Sequence, residues 1–427
     1  MLIEQLERTI QRVPEKTALV CGDSQTTYQM LYKQIGQFSH GLKELGVASG
    51  ETIIVALPNS VEFVISFYAV AALHARLLPV NPFLTEMEMV RYLDTHPHIA
   101  TIITDSAWLG AWQRVLSRKG RSVTLVVVNR PALTVGAEAG AVDFHGLMDG
   151  VVEAASADAY PHNFLIQYSS GSTGLPKQIE RTQENLCHQA NNCTETIGVT
   201  SADSILAAVP LYHAYGIGEC LLAAMTTGAT LVIMEQAVEN GIPVQKPFIF
   251  RHKQLADLID QHQITILPLV PYMVSLLAGL SADSTASLSS VRLCFSAGTF
   301  LSQDVFVQFK NRWGVSVRQL YGCTEAGAIA VNLEDEANLV FNTVGRPMKN
   351  TDIQILGESG HTAPVRTVGE LALKSRTVAA GNVDNYFLTG DLAQRDEQGR
   401  IFIIGRKGYN ATLQKQGPLK QDPALAA

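Results

Sequence analysis

An α/β fold is predicted for this chain: two doubly wound βα units packed side by side, followed by a small β-barrel or curved sheet. Three observations predict it. Short apolar runs rich in β-branched residues alternate with stretches whose apolar residues recur every three or four positions. Past Ala330 the apolar spacing changes to period two. The length of 427 residues suits two or three packed units with ample chain for a large core.

From Tyr28 to Leu45 the residues Leu31, Ile35, Phe38, Leu42 and Leu45 mark one face of a helix that Gly46 ends. A strand from Ile53 to Leu57 is broken by Pro58-Asn59, and Val61 to Leu73 reads as a largely buried helix. Leu77 to Val80 is the next strand, Glu86 to His96 the next helix, and Ile99 to Thr104 and Val123 to Val128 are further strands. Between Asn129 and His162 the periodicity fades into Ala, Gly, Asp and Pro, which predicts a surface connection. The alternation then resumes with a strand at Phe164 to Tyr168 and a helix from Glu184 to Cys193. Strands at Ser204 to Val209 and Ala229 to Met234 flank a buried helix from Gly218 to Met225. Next come a helix at Lys253 to His262, a strand at Ile264 to Leu267, a helix at Tyr272 to Leu280 and a strand at Val291 to Phe295. A helix at Gln303 to Trp313 and a strand at Val317 to Tyr321 complete the series. The period-two residues are Ile353 and Ile355, Leu371 and Leu373, then Ile401, Ile403 and Ile404 after the turn Asp396-Glu397-Gln398-Gly399. The expected division is therefore 1–162, 163–330, 331–407, and a loose tail 408–427 with little to bury.

Hydrophobic residues make up 47% and charged residues 17% of the chain, ordinary for an α/β protein, and the net charge is −7. That charge argues against a general binder of nucleic acid or anionic membrane, so any anionic ligand must be held by local groups. The six cysteines are scattered without metal-ligand spacing, and the N-terminus lacks the pattern of a secretion signal. A reduced, cytoplasmic protein is expected. No apolar run approaches the ~20 residues of a membrane span; Ala69 to Leu73 is soon followed by His74 and Arg76.

The chemistry gathers in three stretches. In Tyr168-Ser169-Ser170-Gly171-Ser172-Thr173-Gly174-Leu175-Pro176-Lys177, two glycines permit a tight turn. The hydroxyls of Ser169, Ser170, Ser172 and Thr173 and the amides between them can surround phosphate oxygens, and Lys177 adds a cation. The loop is predicted to lie between a strand and a helix. It is not a Walker A loop, because only two residues separate Gly171 from Gly174 and Gln178 follows the lysine. A solvated Gly/Ser turn is the alternative. The second stretch, Tyr321-Gly322-Cys323-Thr324-Glu325, lies at the C-terminal end of a predicted strand, where open α/β sheets bind ligands. Tyr321 can stack on a planar base, Gly322 allows close approach, Thr324 offers a hydroxyl, and Glu325 is a hard oxygen ligand suited to Mg²⁺. The alternative is a helix N-terminus capped by Thr324 and Glu325. In the third, Leu388-Thr389-Gly390-Asp391-Leu392 precedes Gly405-Arg406-Lys407; Asp391 can accept both hydroxyls of a ribose and Arg406 can donate to them.

In this order and spacing, over roughly residues 10 to 407, the stretches resemble the superfamily of adenylate-forming enzymes. That superfamily comprises acyl- and aryl-CoA ligases, peptide-synthetase adenylation domains and luciferases. The resemblance implies the large N-terminal domain of such an enzyme. In its chemistry a carboxylate attacks the α-phosphate of ATP, pyrophosphate leaves, and CoA or a phosphopantetheinyl acyl carrier protein captures the acyl group as a thioester. It further implies that Ser169 to Lys177 form the phosphate loop, with Thr173 near the β- and γ-phosphates. Thr324 and Glu325 serve the α-phosphate and Mg²⁺, with Glu325 and Thr173 at the metal. Tyr321, Gly322, Ser296, Ala297 and Gly298 line the adenine site, and Asp391 and Arg406 hold the ribose. His213, in Pro210-Leu211-Tyr212-His213-Ala214-Tyr215-Gly216, matches an aromatic-rich motif beside the acid; a satisfied, half-buried histidine is the alternative. Thr173, Lys177, His213 and Glu325 are the expected catalytic residues. The acid pocket is expected from His213, Tyr215, Val270, Pro271, Gly298, Gly322 and Ala328. No Asp stands where peptide-synthetase domains hold an α-amine, so a fatty or aromatic acid without one is expected. Cys323 is expected to be a small buried residue and not a nucleophile.

Several departures from the family stand out. Gln178 replaces the usual glycine, Gln183 replaces a histidine, and the segment from Leu373 to Tyr386 is short. The resemblance also implies a mobile domain of about a hundred residues after Gly405-Arg406-Lys407, whereas the sequence in hand runs twenty residues further. A fragment, a second domain lost or supplied by another chain, and a nucleotide- or adenylate-binding relic without turnover are the alternatives left open.

Overall fold

The protein is described by a computed structural model over residues 1–128, 141–150, 163–169, 177–239, 242–281, 286–379 and 385–407. Its β-branched apolar runs form two large, mostly parallel sheets. One has seven strands in the order Ala141–Asp143, Thr124–Val128, Thr101–Asp105, Thr52–Ala56, Arg76–Pro79, Asn163–Ser169 and Lys177–Thr182. The other has nine, in the order Arg346–Pro347, Gly327–Val331, Val317–Cys323, Leu293–Ser296, Ile266–Leu269, Ser204–Ala207, Thr230–Ile233, Thr17–Cys21 and Ser24–Thr27. Central strands such as Thr52–Ala56 are buried along their whole length, as expected where helices cover both faces. Helices begin where side-chain oxygens can accept orphan backbone N–H groups: Thr27, Ser60, Thr85, Asp105, Thr182 and Ser302 all cap this way.

Sheet membership crosses the expected division at residue 162 in both directions. Thr17–Cys21 lies in the nine-stranded sheet, parallel to Thr230–Ile233. Asn163–Ser169 and Lys177–Thr182, expected in the second unit, extend the seven-stranded sheet through the parallel pair with Arg76–Pro79. Chain order does not reveal this, because strand pairing is set by which apolar faces meet. One continuous core runs between the sheets, from Leu19 and Phe38 through Phe67 and Phe164 to Leu206, Leu231 and Phe295.

The expected strands and helices are present with ends shifted by a few residues, and several further elements were not foreseen. Leu2–Arg12 and Ser106–Lys119 are helices, and Thr17–Cys21 forms a hairpin with the polar edge strand Ser24–Thr27. Where an α-helix was expected from Gly218, the chain takes a π-helical path over Gly216–Leu222 before an α-helix at Ala223–Thr227. Gly216 permits this: a Cβ there would sit 2.1 Å from the Pro210 carbonyl oxygen.

The period-two region is a four-stranded antiparallel sheet in the order Asp352–Leu356, Gly369–Lys374, Phe387–Arg395, Ile401–Arg406. It is open and not a barrel among the described residues, since the two outer strands do not pair; four short strands are too few to close around a core. Its inner residues Ile353, Ile355, Leu371, Leu373 and Ile401 pack on Ala326, Ile329, Ala330 and Val344. The small sheet is thereby held against the Tyr321–Glu325 stretch.

Candidate active site

Strands of both large sheets end at one region. Asn163–Ser169 leads into the Gly/Ser loop, Ile266–Leu269 into Val270, Leu293–Ser296 into Ala297-Gly298, and Ser204–Ala207 into the turn carrying His213. These carboxyl ends are where doubly wound sheets bind ligands. Two side chains stitch the sheets together there. Asn59 Nδ2 donates to the carbonyls of Ala207 (3.2 Å) and Val209 (3.0 Å), while its Oδ1 accepts from Leu211 N–H (2.7 Å). Gln167 Nε2 donates to the Tyr212 carbonyl (3.1 Å), beside His213.

The Gly/Ser loop lies between two antiparallel strands and not between a strand and a helix: Ser169 pairs with Lys177 and Tyr168 with Gln178. The apolar residues in Lys177–Thr182 are too few to announce a strand; Ile179 is its one buried hydrophobic residue. Ser170, Gly171, Ser172, Thr173 and Gly174 lie outside the described residues. Lys177 is exposed at the base of the loop, and its side chain makes no hydrogen bond or ion pair among the described residues. Gln178 accepts from the Tyr168 hydroxyl (3.1 Å), which is also 2.7 Å from His96 Nε2. Gln183 is buried and donates to the Ala71 carbonyl (2.8 Å), tying the start of helix Gln183–Ile197 to the end of Val61–Ala72. Both glutamines that depart from the family pattern thus have structural partners.

Tyr321 to Glu325 belongs to a hairpin. Val317–Cys323 turns through Thr324, Glu325 and Ala326 into Gly327–Val331, with Gly322 opposite Ala328. The alternative of a helix N-terminus is therefore excluded. Gly322 has no room for a side chain: a Cβ would lie 2.4 Å from the Gly327 carbonyl oxygen. Cys323 is partly buried, and desolvation together with the Glu325 carboxylate pushes its thiol up, which makes it a poor nucleophile at neutral pH. The Glu325 carbonyl accepts from Ala379 N–H (2.8 Å), linking the turn to the segment after Gly369–Lys374.

The expected ribose residues meet the expected adenine residue. Asp391 and Arg406 are cross-strand partners, with Arg406 Nε 3.5 Å from Asp391 Oδ1. The Tyr321 hydroxyl donates to Asp391 Oδ2 at 2.6 Å. Burial raises the Asp391 carboxyl above its ordinary range, while Tyr321 and Arg406 favour its charged form and Glu325 opposes it. Three segments far apart in the chain therefore converge on one carboxylate, with Glu325 close enough to be felt electrostatically.

The remaining expected residues fall into two groups. Val270 and Ala297 follow directly on the register pair Leu269 and Ser296 of adjacent strands, with Pro271 opening helix Pro271–Ala278; Ser296 is fully buried and Gly298, at φ 91°, has nothing near its Cβ position. His213 and Tyr212 hold their rings 4.7 Å apart, and Tyr215 stands at the N-cap of the π-helical segment, close to Glu219, whose carboxyl is bonded by the backbone of Ala328.

Asn59, Gln167, Arg181, Gln189 and Glu219 were not found by sequence reasoning. Arg181 is 1% exposed and donates to the Thr377 carbonyl (3.2 Å), and burial lowers its pKa to about 10. A lone Glu inside the apolar stretch Gly216 to Met225 is the signal that could have flagged Glu219, whereas Arg181, beside Glu180 in a mostly polar run, carries none.

This fold and this convergence of groups define an enzyme that makes adenylates, and comparison with known proteins agrees: residues 6–382 match the AMP-binding enzyme family, to which the chain belongs. Its relatives are acid–thiol ligases. The indoleacetate–CoA ligase of Aromatoleum aromaticum is 26% identical over 95% of this chain and 78% of that protein. 4-Coumarate–CoA ligase 3 of Oryza sativa subsp. japonica is 27% identical over 90% and 70%. Sulfoacetate–CoA ligase of Cupriavidus necator is 28% identical over 92% and 75%. Among solved structures, the anthranilate CoA ligase AuaEII in complex with anthranoyl-AMP superposes with a TM-score of 0.82 at 23% identity, covering 95% of this chain and 77% of that one. The N-terminal domain of FACL13 from Mycobacterium tuberculosis gives 0.79 at 21% identity, covering 95% and 99%. The chain is thus an AMP-forming acid–thiol ligase type of enzyme: it activates a carboxylic acid with ATP as the acyl-adenylate, for transfer to CoA. Among the described residues no helix is long and apolar enough to cross a membrane.

Proposed function

We propose that the acid is a fatty or aromatic carboxylic acid without an α-amino group, and that the residues assembled above divide the work as follows. One carboxylate oxygen of the acid attacks the α-phosphorus of ATP; the bond to the bridging oxygen breaks, pyrophosphate leaves, and the acyl-adenylate remains. Asp391, held by Tyr321 and Arg406, accepts the ribose hydroxyls. Gly322 and the strand ends at Ser296, Ala297 and Gly298 form the adenine wall. The loop from Ser169 to Lys177 holds the β- and γ-phosphates, Lys177 supplying positive charge as pyrophosphate departs. Thr324 donates to the α-phosphate, and His213 stands beside the acid.

Magnesium fits the groups present. Glu325 is a half-buried carboxylate whose charge is felt by Asp391, and one or two carboxylates beside substrate phosphates are what Mg²⁺ takes. Glu325 and Thr173 would hold the ion, which when bound neutralises charge on the triphosphate. A thiol, of CoA or of a phosphopantetheinyl carrier, then attacks the acyl carbon and AMP leaves. The six cysteines are free, which supports a reducing compartment such as the cytoplasm.

The observation that carries this reading is the convergence of Tyr321, Asp391 and Arg406 beside Glu325. The test is pyrophosphate release across a panel of fatty and aromatic acids, with hydroxylamine added to trap the adenylate as a hydroxamate. Release that needs both ATP and one acid of the panel is expected; ATP binding without release for any acid overturns the reading.

A further inference from the structure

The buried carboxyl of Glu219 has no part in the chemistry described so far. It sits at 4% exposure on the π-helical segment that Tyr215 begins. Gln189, 1% exposed on helix Gln183–Ile197, donates its Nε2 to Glu219 Oε1 at 3.1 Å, and the backbone of Ala328 also bonds the carboxyl. The Gln189 amide lies where two side chains would otherwise be: a Cβ on Gly218 would come within 1.9 Å of it and one on Gly327 within 2.1 Å. Two glycines on different elements thus make room for one polar side chain, an arrangement with no purpose in a merely packed core, where an apolar residue would fill the space more favourably.

The polar capacity of this cluster is not used up. Among the described residues Gln189 Oε1 is buried without a hydrogen-bond partner, and so is the Tyr215 hydroxyl, whose charged and titratable surroundings include Glu219 and the thiols of Cys193, Cys220 and Cys294. Buried polar atoms are nearly always paired, so orphaned ones beside a binding site point to a ligand that pairs them. Tyr215 and Ala328 are residues of the acid pocket that the family resemblance implies, and this inference rests on that placement and on the acid activation proposed above.

We propose that Glu219, Gln189 and Tyr215 form the polar end of the acid pocket and select acids bearing a hydrogen-bond-donating substituent, a hydroxyl or an aryl amine, remote from the carboxylate that is activated. Gln189 Oε1 accepts from the substituent, Glu219 fixes the amide so that this oxygen faces it, and the Tyr215 hydroxyl donates to its lone pair. An acid that ends in hydrocarbon leaves these groups desolvated and unpaired.

The experiment measures kcat/KM for pyrophosphate release with matched pairs: benzoate with 4-hydroxybenzoate and 4-aminobenzoate, cinnamate with 4-hydroxycinnamate, and hexanoate with 6-hydroxyhexanoate. For at least one pair the substituted acid is expected to be favoured by about 10–100-fold, the range for pairing one or two buried polar groups. Glu219→Met, which keeps the side-chain length but takes away the oxygen that accepts from Gln189, should shrink that ratio, and Tyr215→Phe, which removes a single atom, should shrink it independently. A purely structural role would lower both members of a pair alike, so the ratio discriminates even where a variant is less stable. Equal kcat/KM within every pair, or a ratio untouched in both variants, overturns the proposal while leaving acid activation standing. No release with any acid overturns the activation reading and this proposal together.

Discussion

Replacing Tyr321 with phenylalanine removes one oxygen and isolates the contribution of the hydrogen bond on which the candidate ribose site is built. The Tyr321 hydroxyl donates to Asp391 Oδ2 at 2.6 Å, whereas Arg406 approaches the other oxygen only to 3.5 Å and is itself 46% exposed. Tyr321 is therefore the stronger hold on the carboxylate. A hydrogen bond to a charged group contributes about 1.5–3 kcal/mol. Free and nucleotide-bound enzyme both lose it, so only the part reflecting Asp391 orientation and charge appears in binding. We expect ATP to bind roughly 10-fold more weakly at neutral pH, equivalent to about 1.4 kcal/mol. The pH dependence carries the sharper signature. Asp391 must be ionised to accept the ribose hydroxyls; its carboxyl already stands above the ordinary range through burial, and Tyr321 opposes that rise. Without the hydroxyl it rises further, so affinity should begin to fall at a higher pH in the variant than in the parent. In folding the sign is the same: a carboxyl whose folded value is raised contributes stability at pH below its unfolded value and loses it as pH rises through the folded value. Tyr321→Phe should therefore be hurt more at neutral than at acid pH. Calorimetric titration with ATP and with AMP from about pH 5 to 8 measures both effects. Unchanged affinity together with an unchanged acid limb would show that Asp391 does not hold the ribose or that Tyr321 does not hold Asp391.

Other perturbations test neighbouring parts. Glu325→Gln removes a hard anionic ligand and should abolish Mg²⁺-dependent pyrophosphate release while the melting temperature stays near that of the parent; full turnover at saturating ATP and Mg²⁺ would remove Glu325 from the metal site. Gly322→Ala forces a methyl to 2.4 Å from the Gly327 carbonyl oxygen and should cost about 1–3 kcal/mol in chemical denaturation, with weaker ATP binding; a neutral substitution would mean the hairpin opens freely. Burial pushes the Glu219 carboxyl from 4.5 up to about 8, so its stabilising contribution is complete below pH 4.5 and is lost as pH rises through 8. Wild type should lose stability relative to Glu219→Gln over that window, and denaturation curves that stay parallel from about pH 5 to 9 would refute it.

The parts of this molecule that are local in sequence were legible from it. Strand and helix periodicity located most of the two sheets, because burial on a fixed face repeats every two or every three to four residues. Tyr321, Asp391 and Arg406, singled out from short stretches, do come together in the structure, while their ligand roles belong to the proposed function. What escaped depends on pairing over distance. The Tyr321 to Asp391 bond, the Gln189 amide between Gly218 and Gly327, and the Asn59 stitch join residues whose neighbours in the chain carry no trace of the partner. Lys177–Thr182 hid as a strand because most of its side chains are polar or exposed. The small sheet was expected as a barrel or a curved sheet; among the described residues it is open, and what decides between the two is strand number, which periodicity does not reveal. The roles of Thr173, Lys177 and His213, like those of Tyr321, Gly322, Glu325, Asp391 and Arg406, belong to the proposed function and are reached by the same kinetic tests.

The placement of Thr17–Cys21 has a consequence for how the protein is made. Its parallel partner Thr230–Ile233 is far along the chain: Thr230 donates a hydrogen bond to the Thr17 carbonyl across 213 residues. Tyr28 reaches equally far, its hydroxyl 2.9 Å from the Ala224 carbonyl and 2.6 Å from that of Ala229. During synthesis the N-terminal hairpin emerges early and waits, with one strand edge unpaired, until every strand of the seven-stranded sheet and then Ser204–Ala207 and Thr230–Ile233 have followed. Closing so long a loop is slow relative to local pairing, and the waiting edge is a template for association with other chains. A nascent or refolding chain should therefore be most prone to aggregate before residue 233 is available, and trimming the first 27 residues should leave Thr230–Ile233 as an exposed edge in the finished fold. The hairpin made first in the chain thus gains its place in the larger sheet only after every strand of the smaller one has been made.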